Sequence, residues 1–366
     1  MHALKRFGTA FGGYKMMENY PEPECGPDDI ILEIKAAAIC GADMKHWGVD
    51  NGYDDTNITP DQQQSVRGHE FAGEIVKVGE NVKDWHIGQR VVSDNSAHVC
   101  GVCPACEQGD FLCCEHKVNL GLDNNTWGGG FSKYCKVPGE ILAIHKHAIW
   151  EIPEGIKYEE ACVLDPICNA YKAVAQQSHL IPGQDVVVFG TGPLGLFSVQ
   201  VAKLMGAVNI VMVGLDDDVK VRFGVAKELG ATHCVNGSKE DVVARCTEIC
   251  GRDNLGLVIE CSGANIALKQ AIEMTRPNAE IVRVGMGFKP LEFSINDITA
   301  WNKSIIGHMA YDSTSWRNCI RLLQSGQIKV QPMITHRLGL SQWQEGFDKM
   351  AKKEAIKVIF HYDYED

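Results

Sequence analysis

The sequence predicts an α/β protein in which a mostly-β part is joined to a doubly wound parallel sheet. Three observations carry this. The first stretch, to about residue 165, holds short β-like runs between glycine turns, with little helical periodicity. Beyond Asp165, apolar strands alternate with helical stretches, the pattern of βαβ units. The 366 residues, 45% hydrophobic and 22% charged, suffice for two domains, each with a core of its own.

The elements follow in order. "DDIILEIKAAAI", "GEIVKVGE" and "DWHIGQRVVS" read as strands of a compact, partly open barrel. "DVVVFG", Asp185 to Gly190, is an apolar β-branched run, and a helix from Leu194 to Met205 follows it. Then come strand "NIVMVG", helix "DVKVRFGVAKELG", the short run "THCVNG" and helix "KEDVVARCTEICG". Strand "LGLVIECSG", helix "NIALKQAIEM" and strand "AEIVRVGMG" continue the series, and the sheet is expected to end near "SIIGHM". Helix "STSWRNCIRLLQSG" leads to the tail "VQPMITHRLGLSQWQEGFDKM".

Composition excludes some partners. A net charge of −12 argues against nucleic acid, whose phosphates need clustered Lys and Arg. There is no apolar run of signal-peptide length and none near the ~20 residues of a membrane span, so a cytoplasmic protein is expected. In that compartment most of the fifteen cysteines are expected to be free and buried.

One cluster differs. "CGVCPACEQGDFLCC" has the spacing C-x2-C-x2-C-x7-C through Cys100, Cys103, Cys106 and Cys114, with Cys113 as a spare. Four thiolates in one loop enclose a tetrahedral structural zinc, an iron–sulfur cluster being the alternative occupant. A second motif, Gly190-x-Gly192-Pro193-Leu194-Gly195, follows a strand and opens a helix, the context that makes it a dinucleotide site. The next strand should end in an acid for the ribose hydroxyls, but Gly214 stands there, followed by Leu215-Asp216-Asp217-Asp218. Three carboxylates would repel a 2′-phosphate, so the expected cofactor is NAD, with Asp216 as the substitute ribose ligand.

Together, "ICGADMKHW", "RGHEFAGEIVKVGENV", "GQRVV", the cysteine loop, "GGGFSKY", "LDPICNAYKA", "VFGTGPLGL" and "IECSG" resemble the zinc-dependent medium-chain alcohol dehydrogenases over essentially the whole chain, most closely their polyol (sorbitol-type) and threonine branches. The resemblance implies a GroES-like catalytic domain over residues 1–165 and 306–366 and a Rossmann coenzyme domain over 166–305. It implies a catalytic zinc on Cys40, His69 and Glu70, with Asp165 bound directly or through water, hence two zinc ions per chain. It places Asn169 beside the nicotinamide, gives Val284 and Met286 backbone contacts to the carboxamide, and implies a homo-oligomer, a tetramer or dimer.

The chain departs from the pattern at Ala42, where the family commonly has a hydroxyl that passes on the substrate proton. His46 reads either as a cleft residue binding substrate hydroxyls or as a surface histidine, and Trp47, Asn124, Asn125 and Trp127 are candidate cleft walls. The resemblance implies oxidation of a secondary alcohol of a small polyol, with four-carbon tetritols as the expected substrates. Threonine-type amino-alcohol oxidation and a non-catalytic nucleotide binder are the alternatives.

Overall fold

A computed structural model describes residues 1–7, 13–47, 64–124, 126–287 and 289–365. The chain divides into two units, one of Met1–Asp165, Asp312–Thr314 and Ile334–Asp366, the other of Pro166–Tyr311 and Ser315–Met333.

The first unit begins with the hairpin β1 (Ala3–Arg6) and β2 (Tyr14–Met17). Its main sheet takes β3 (Ile30–Ala38), β4 (Glu70–Val78) and β5 (Arg90–Ser93). A small pair, β6 (Ser96–His98) and β7 (Val118–Asn119), flanks the cysteine loop, and β8 (Tyr134–Val137) and β9 (Ile149–Glu151) return to the sheet. The three expected strands all form. The sheet buries Ile30, Leu32, Phe71, Ile75 and Phe131 against Phe347 and Phe360 of the tail. Each such side chain contributes roughly 1.5–3 kcal/mol by leaving water.

The second unit holds six parallel strands: β10 (Asp185–Phe189), β11 (Ile210–Gly214), β12 (His233–Asn236), β13 (Leu255–Glu260), β14 (Glu280–Arg283) and β15 (Ser304–Gly307). Their order, β12-β11-β10-β13-β14-β15, is that of a doubly wound nucleotide-binding sheet. The central strands are buried on both faces, which is why they read as unbroken Val, Ile and Leu. β16 (Ile334–Gly339) and β17 (Lys357–His361) then complete the first sheet in the order β16-β17-β3-β4-β5-β9, with β8 also on β3.

The sheet ends at "SIIG" as expected, and two features differ from the sequence reading: the point of return to the first unit and one helix. The chain touches the first unit at Asp312–Thr314 and returns to it for good at Ile334, rather than near residue 306. β15 is the sixth strand of the parallel sheet, and helix Ser313–Gln324 stays with it through Ser315 on Gln176 (2.7 Å) and Asn318 on Tyr171 (2.9 Å). The expected helix "DVKVRFGVAKELG" breaks into Asp216–Val219 and Arg222–Leu229. "LDPICNAY" is helical over Leu164–Tyr171 and runs into a π-helical turn, Lys172–Gln177. β14 has partners on both sides, so the open edges of this sheet are β12 and β15, with Trp301, Ile305 and Met309 exposed near β15. No helix among the described residues is long and apolar enough to cross a membrane.

Candidate active site

Strand register brings distant residues together. Ala38, the last residue of β3, pairs with Glu70 of β4 and with Ile359 of β17. Cys40, His69, Glu70 and Lys357 therefore fall at one end of the sheet. One ligand atom from each of Cys40, His69 and Glu70 lies within 4.8 Å of the others. Glu70 Oε1 is buried without a hydrogen-bond partner among the described residues. A sulfur, a nitrogen and an orphaned carboxylate oxygen fit a zinc with an open position.

Asp43 holds this arrangement. Its carboxylate is fully buried, accepts the Cys40 N–H (3.0 Å) and an Arg67 N–H (3.3 Å), and faces His69 Nδ1 at 3.7 Å. Such a carboxylate fixes both the loop and the ring of a metal-binding histidine. Tyr14 donates its hydroxyl to the Asp43 carbonyl (2.6 Å).

Asp165 stands outside the close trio. Its Oδ2 accepts from Asn95 Nδ2 at 3.1 Å, and Asn95 adopts a left-handed conformation (φ 59°). Burial raises the Cys40 thiol and drives the Glu70 carboxyl well above its ordinary range; the Asp165 charge adds to both, and the Lys357 ammonium opposes both. Lys357 donates to Glu70 Oε2 and to the Ile39 carbonyl (3.1 Å). Burial pulls its pKa down, yet Glu70, Cys40 and Asp165 together hold it above the ordinary lysine value. With acceptors around it, the charged ammonium is the form that fits. Sequence reading missed Lys357, Asn95 and Arg67; the one local signal was a lysine opening the apolar run "KVIF".

The four-thiol loop also assembles. The sulfurs of Cys100, Cys103, Cys106 and Cys114 lie within 4.8 Å of one another, while Cys113 is exposed. Backbone N–H groups at Val102 and Cys103, with neighbouring thiols, pull Cys100 down to about 6. Burial and the other thiols push Cys106 up to about 12. A closed set of four sulfurs fits a structural metal.

In the second unit, Gly190 turns with φ +93°, and a Cβ on Gly195 would stand 1.8 Å from the Gly190 carbonyl. Gly192 is open, and helix Pro193–Leu204 starts directly after it, which fits a pyrophosphate at the helix N-terminus. Asn169 Oδ1 meets His308 Nε2 at 3.2 Å. Val284 is buried and donates its N–H to the Glu260 carbonyl (2.8 Å), while Met286 is exposed. Asp216 is half exposed and bound to Asn236 (2.7 Å) and Lys239 (3.3 Å).

Of the candidate walls, Trp47 packs edge-on against Trp343 and Phe347. Asn124 is buried and accepts the N–H groups of Thr126 and Trp127 within its own loop. Asn125 and the side chain of His46 lie outside the described residues.

Comparison with known proteins identifies both units. Residues 26–147 match the alcohol dehydrogenase GroES-like domain, and residues 193–325 the zinc-binding dehydrogenase domain. The uncharacterized zinc-type alcohol dehydrogenase-like protein YdjL of Escherichia coli (strain K12) is 77% identical, with 100% of both chains covered. Sorbitol dehydrogenase of Halalkalibacterium halodurans is 30% identical, with 98% of each covered. The crystal structure of 2R,3R-butanediol dehydrogenase from Bacillus subtilis superposes with a TM-score of 0.83 at 29% identity, with 99% of each covered. Two matching domains and full-length relatives at 30% identity or more show that the chain belongs to the zinc-dependent medium-chain alcohol dehydrogenase family.

Proposed function

We propose that this protein oxidises a secondary alcohol of a small polyol to a ketone with NAD, and that each chain carries two zinc ions. The observation that carries the reading is the Cys40/His69/Glu70 trio with its orphaned Glu70 oxygen. When bound there, zinc supplies Lewis-acid polarisation of a substrate hydroxyl, and NAD supplies the hydride acceptor. Cys100, Cys103, Cys106 and Cys114 would hold the second zinc.

The chain's own residues orient and tune. Asp43 and Arg67 fix the Cys40 loop and the His69 ring. Asn95 presents Asp165 to the same pocket as a further acceptor for metal, water or substrate hydroxyl. Lys357 balances Glu70, so the pocket does not hold an isolated buried carboxylate. Asn169, steadied by His308, would lie against the nicotinamide. The Val284 carbonyl, whose own N–H is engaged, and the Met286 backbone would meet the carboxamide. Ala42 offers no hydroxyl for proton relay, so the proton leaves by another group or by water.

The sorbitol and butanediol dehydrogenases it resembles are named for polyhydroxylated substrates, which supports a polyol. A non-catalytic binder would need neither His69 nor Glu70. A panel of tetritols, pentitols, hexitols and L-threonine, assayed for NADH formation, tests the reading. Turnover of at least one polyol above threonine is expected; turnover of threonine alone overturns it. The open edge of β15, with its exposed apolar residues, supports a homo-oligomer of dimeric or tetrameric form, which a monomeric mass by light scattering would refute.

A further inference from the structure

The second strand of a dinucleotide-binding sheet ordinarily ends in the acid that reads the adenosine ribose. Here β11 ends in Gly214, and a side chain there would force its neighbours to shift. A Cβ at that position would stand 2.7 Å from Thr191 Cγ2, in the glycine turn, and 2.7 Å from the Phe223 ring. The third neighbour is Asp218 Oδ2, 3.1 Å from the same point. A carboxylate oxygen thus lies beside the point where the side chain of residue 214 would begin, delivered from four residues downstream.

The local chain explains this. After Gly214 comes the extra turn Asp216–Val219, set before helix Arg222–Leu229. The turn folds Asp218 back, so that its Oδ2 accepts the Leu215 N–H at 2.9 Å and its Oδ1 meets Arg222 at 3.2 Å. Asp218 is 5% exposed. Asp216 points elsewhere, onto Asn236 and Lys239, and is half exposed.

We infer that Asp218 is the ribose-reading carboxylate of this chain and sets its preference for NAD over NADP; the inference rests on the NAD reading above. An ionised carboxylate has about four lone-pair sites, and two remain for ribose hydroxyls after Leu215 and Arg222. A 2′-phosphate brought to the same place meets a fixed negative charge. Asp218 also neutralises Arg222, the nearby cation that a 2′-phosphate would need. Removing the carboxylate therefore weakens NADH and at the same time exposes a positive partner to NADPH.

The test is binding of NADH and NADPH, by fluorescence titration or calorimetry, to the full-length wild type and to D218A, D218N and D216A. Wild type is expected to bind NADH at least about tenfold more tightly than NADPH. D218A should lose NADH affinity by about tenfold and bind NADPH at least as well as NADH. D218N, which keeps shape and both contacts in part, should move the same way and covers the case in which D218A does not fold. D216A should keep the wild-type ratio. An NADH-selective wild type whose ratio survives both D218A and D218N overturns the inference alone, as does a collapse of the ratio in D216A. A wild type that binds NADPH as tightly as NADH overturns the NAD reading and this inference with it.

Discussion

Lys357→Met is the most informative single perturbation of the metal pocket. Lys357 and Glu70 are each about 1% exposed, and the lysine donates to Glu70 Oε2 and to the Ile39 carbonyl. Methionine matches the length of the lysine stem, so packing is largely kept and the charge is what is lost. Removing one member of a buried ion pair costs about 3–5 kcal/mol, because the partner is left as an uncompensated charge. For a protein of this size that corresponds to a fall in melting temperature of roughly 4–7 °C.

The metal supplies the discriminating arm. In the chelator-treated protein Lys357 is the ammonium bonded to the Glu70 carboxylate, so the full cost of its loss should appear. In zinc-loaded protein Glu70 is a metal ligand candidate and its charge is met, so the loss should be smaller and the stabilisation gained on adding zinc larger than in wild type. Replacing both partners, as in E70Q/K357M, should recover part of the loss, with a coupling energy of about 2–3 kcal/mol in a double-mutant cycle. Thermal melts with and without chelator read all three. A metal-free Lys357→Met protein that melts within about 2 °C of wild type would sink the argument, since no buried charge would then have been unmasked.

Two further outcomes are expected. Cys40→Ser should lower zinc content by one ion per chain and abolish turnover while leaving the fold intact, whereas Cys103→Ser should lower zinc content by one and reduce stability, because a closed metal site contributes to folding; elemental analysis showing one zinc or fewer in active, fully loaded wild type overturns the two-site assignment. His308 is lowered from 6.5 to about 4 by burial, with Lys172 adding to it. A base whose folded value is depressed contributes stability that is complete above pH 6.5 and is lost as pH falls toward 4. The depression is worth at most about 3 kcal/mol. Denaturant titrations should therefore show a weaker acid-side loss in His308→Gln than in wild type, and identical pH profiles would refute this.

What was legible in the sequence follows from range. The cysteine loop keeps its four ligands within Cys100 to Cys114, and the glycine turn lies within Gly190 to Gly195, so spacing alone displays their chemistry. The buried strands of the parallel sheet are uniform enough to be read from composition. Glu70 and Lys357 are different: 287 positions separate them, and only the antiparallel pairing of β3 with both β4 and β17 makes them neighbours. Nothing local to either residue announces the other. Asn95 was equally hidden, since its turn reads as an ordinary polar loop until its left-handed backbone aims the amide at Asp165.

The stretch after Gly214 shows a subtler limit. Counting residues from the strand end puts Asp216 nearest the expected ribose acid, and a continuous helix through Leu229 would keep it there. The structure instead folds Asp218 back on Leu215 N–H and Arg222, in the short turn that precedes the break between the two helices. The same two contacts bury the charge of Asp218 and leave Asp216 to Asn236 and Lys239. Position along the chain and position in space thus diverge by half a helical turn. Three adjacent aspartates look interchangeable to sequence reasoning, yet it is the Asp218 carboxylate that borders the space at Gly214, and the chemistry of cofactor choice should follow the space.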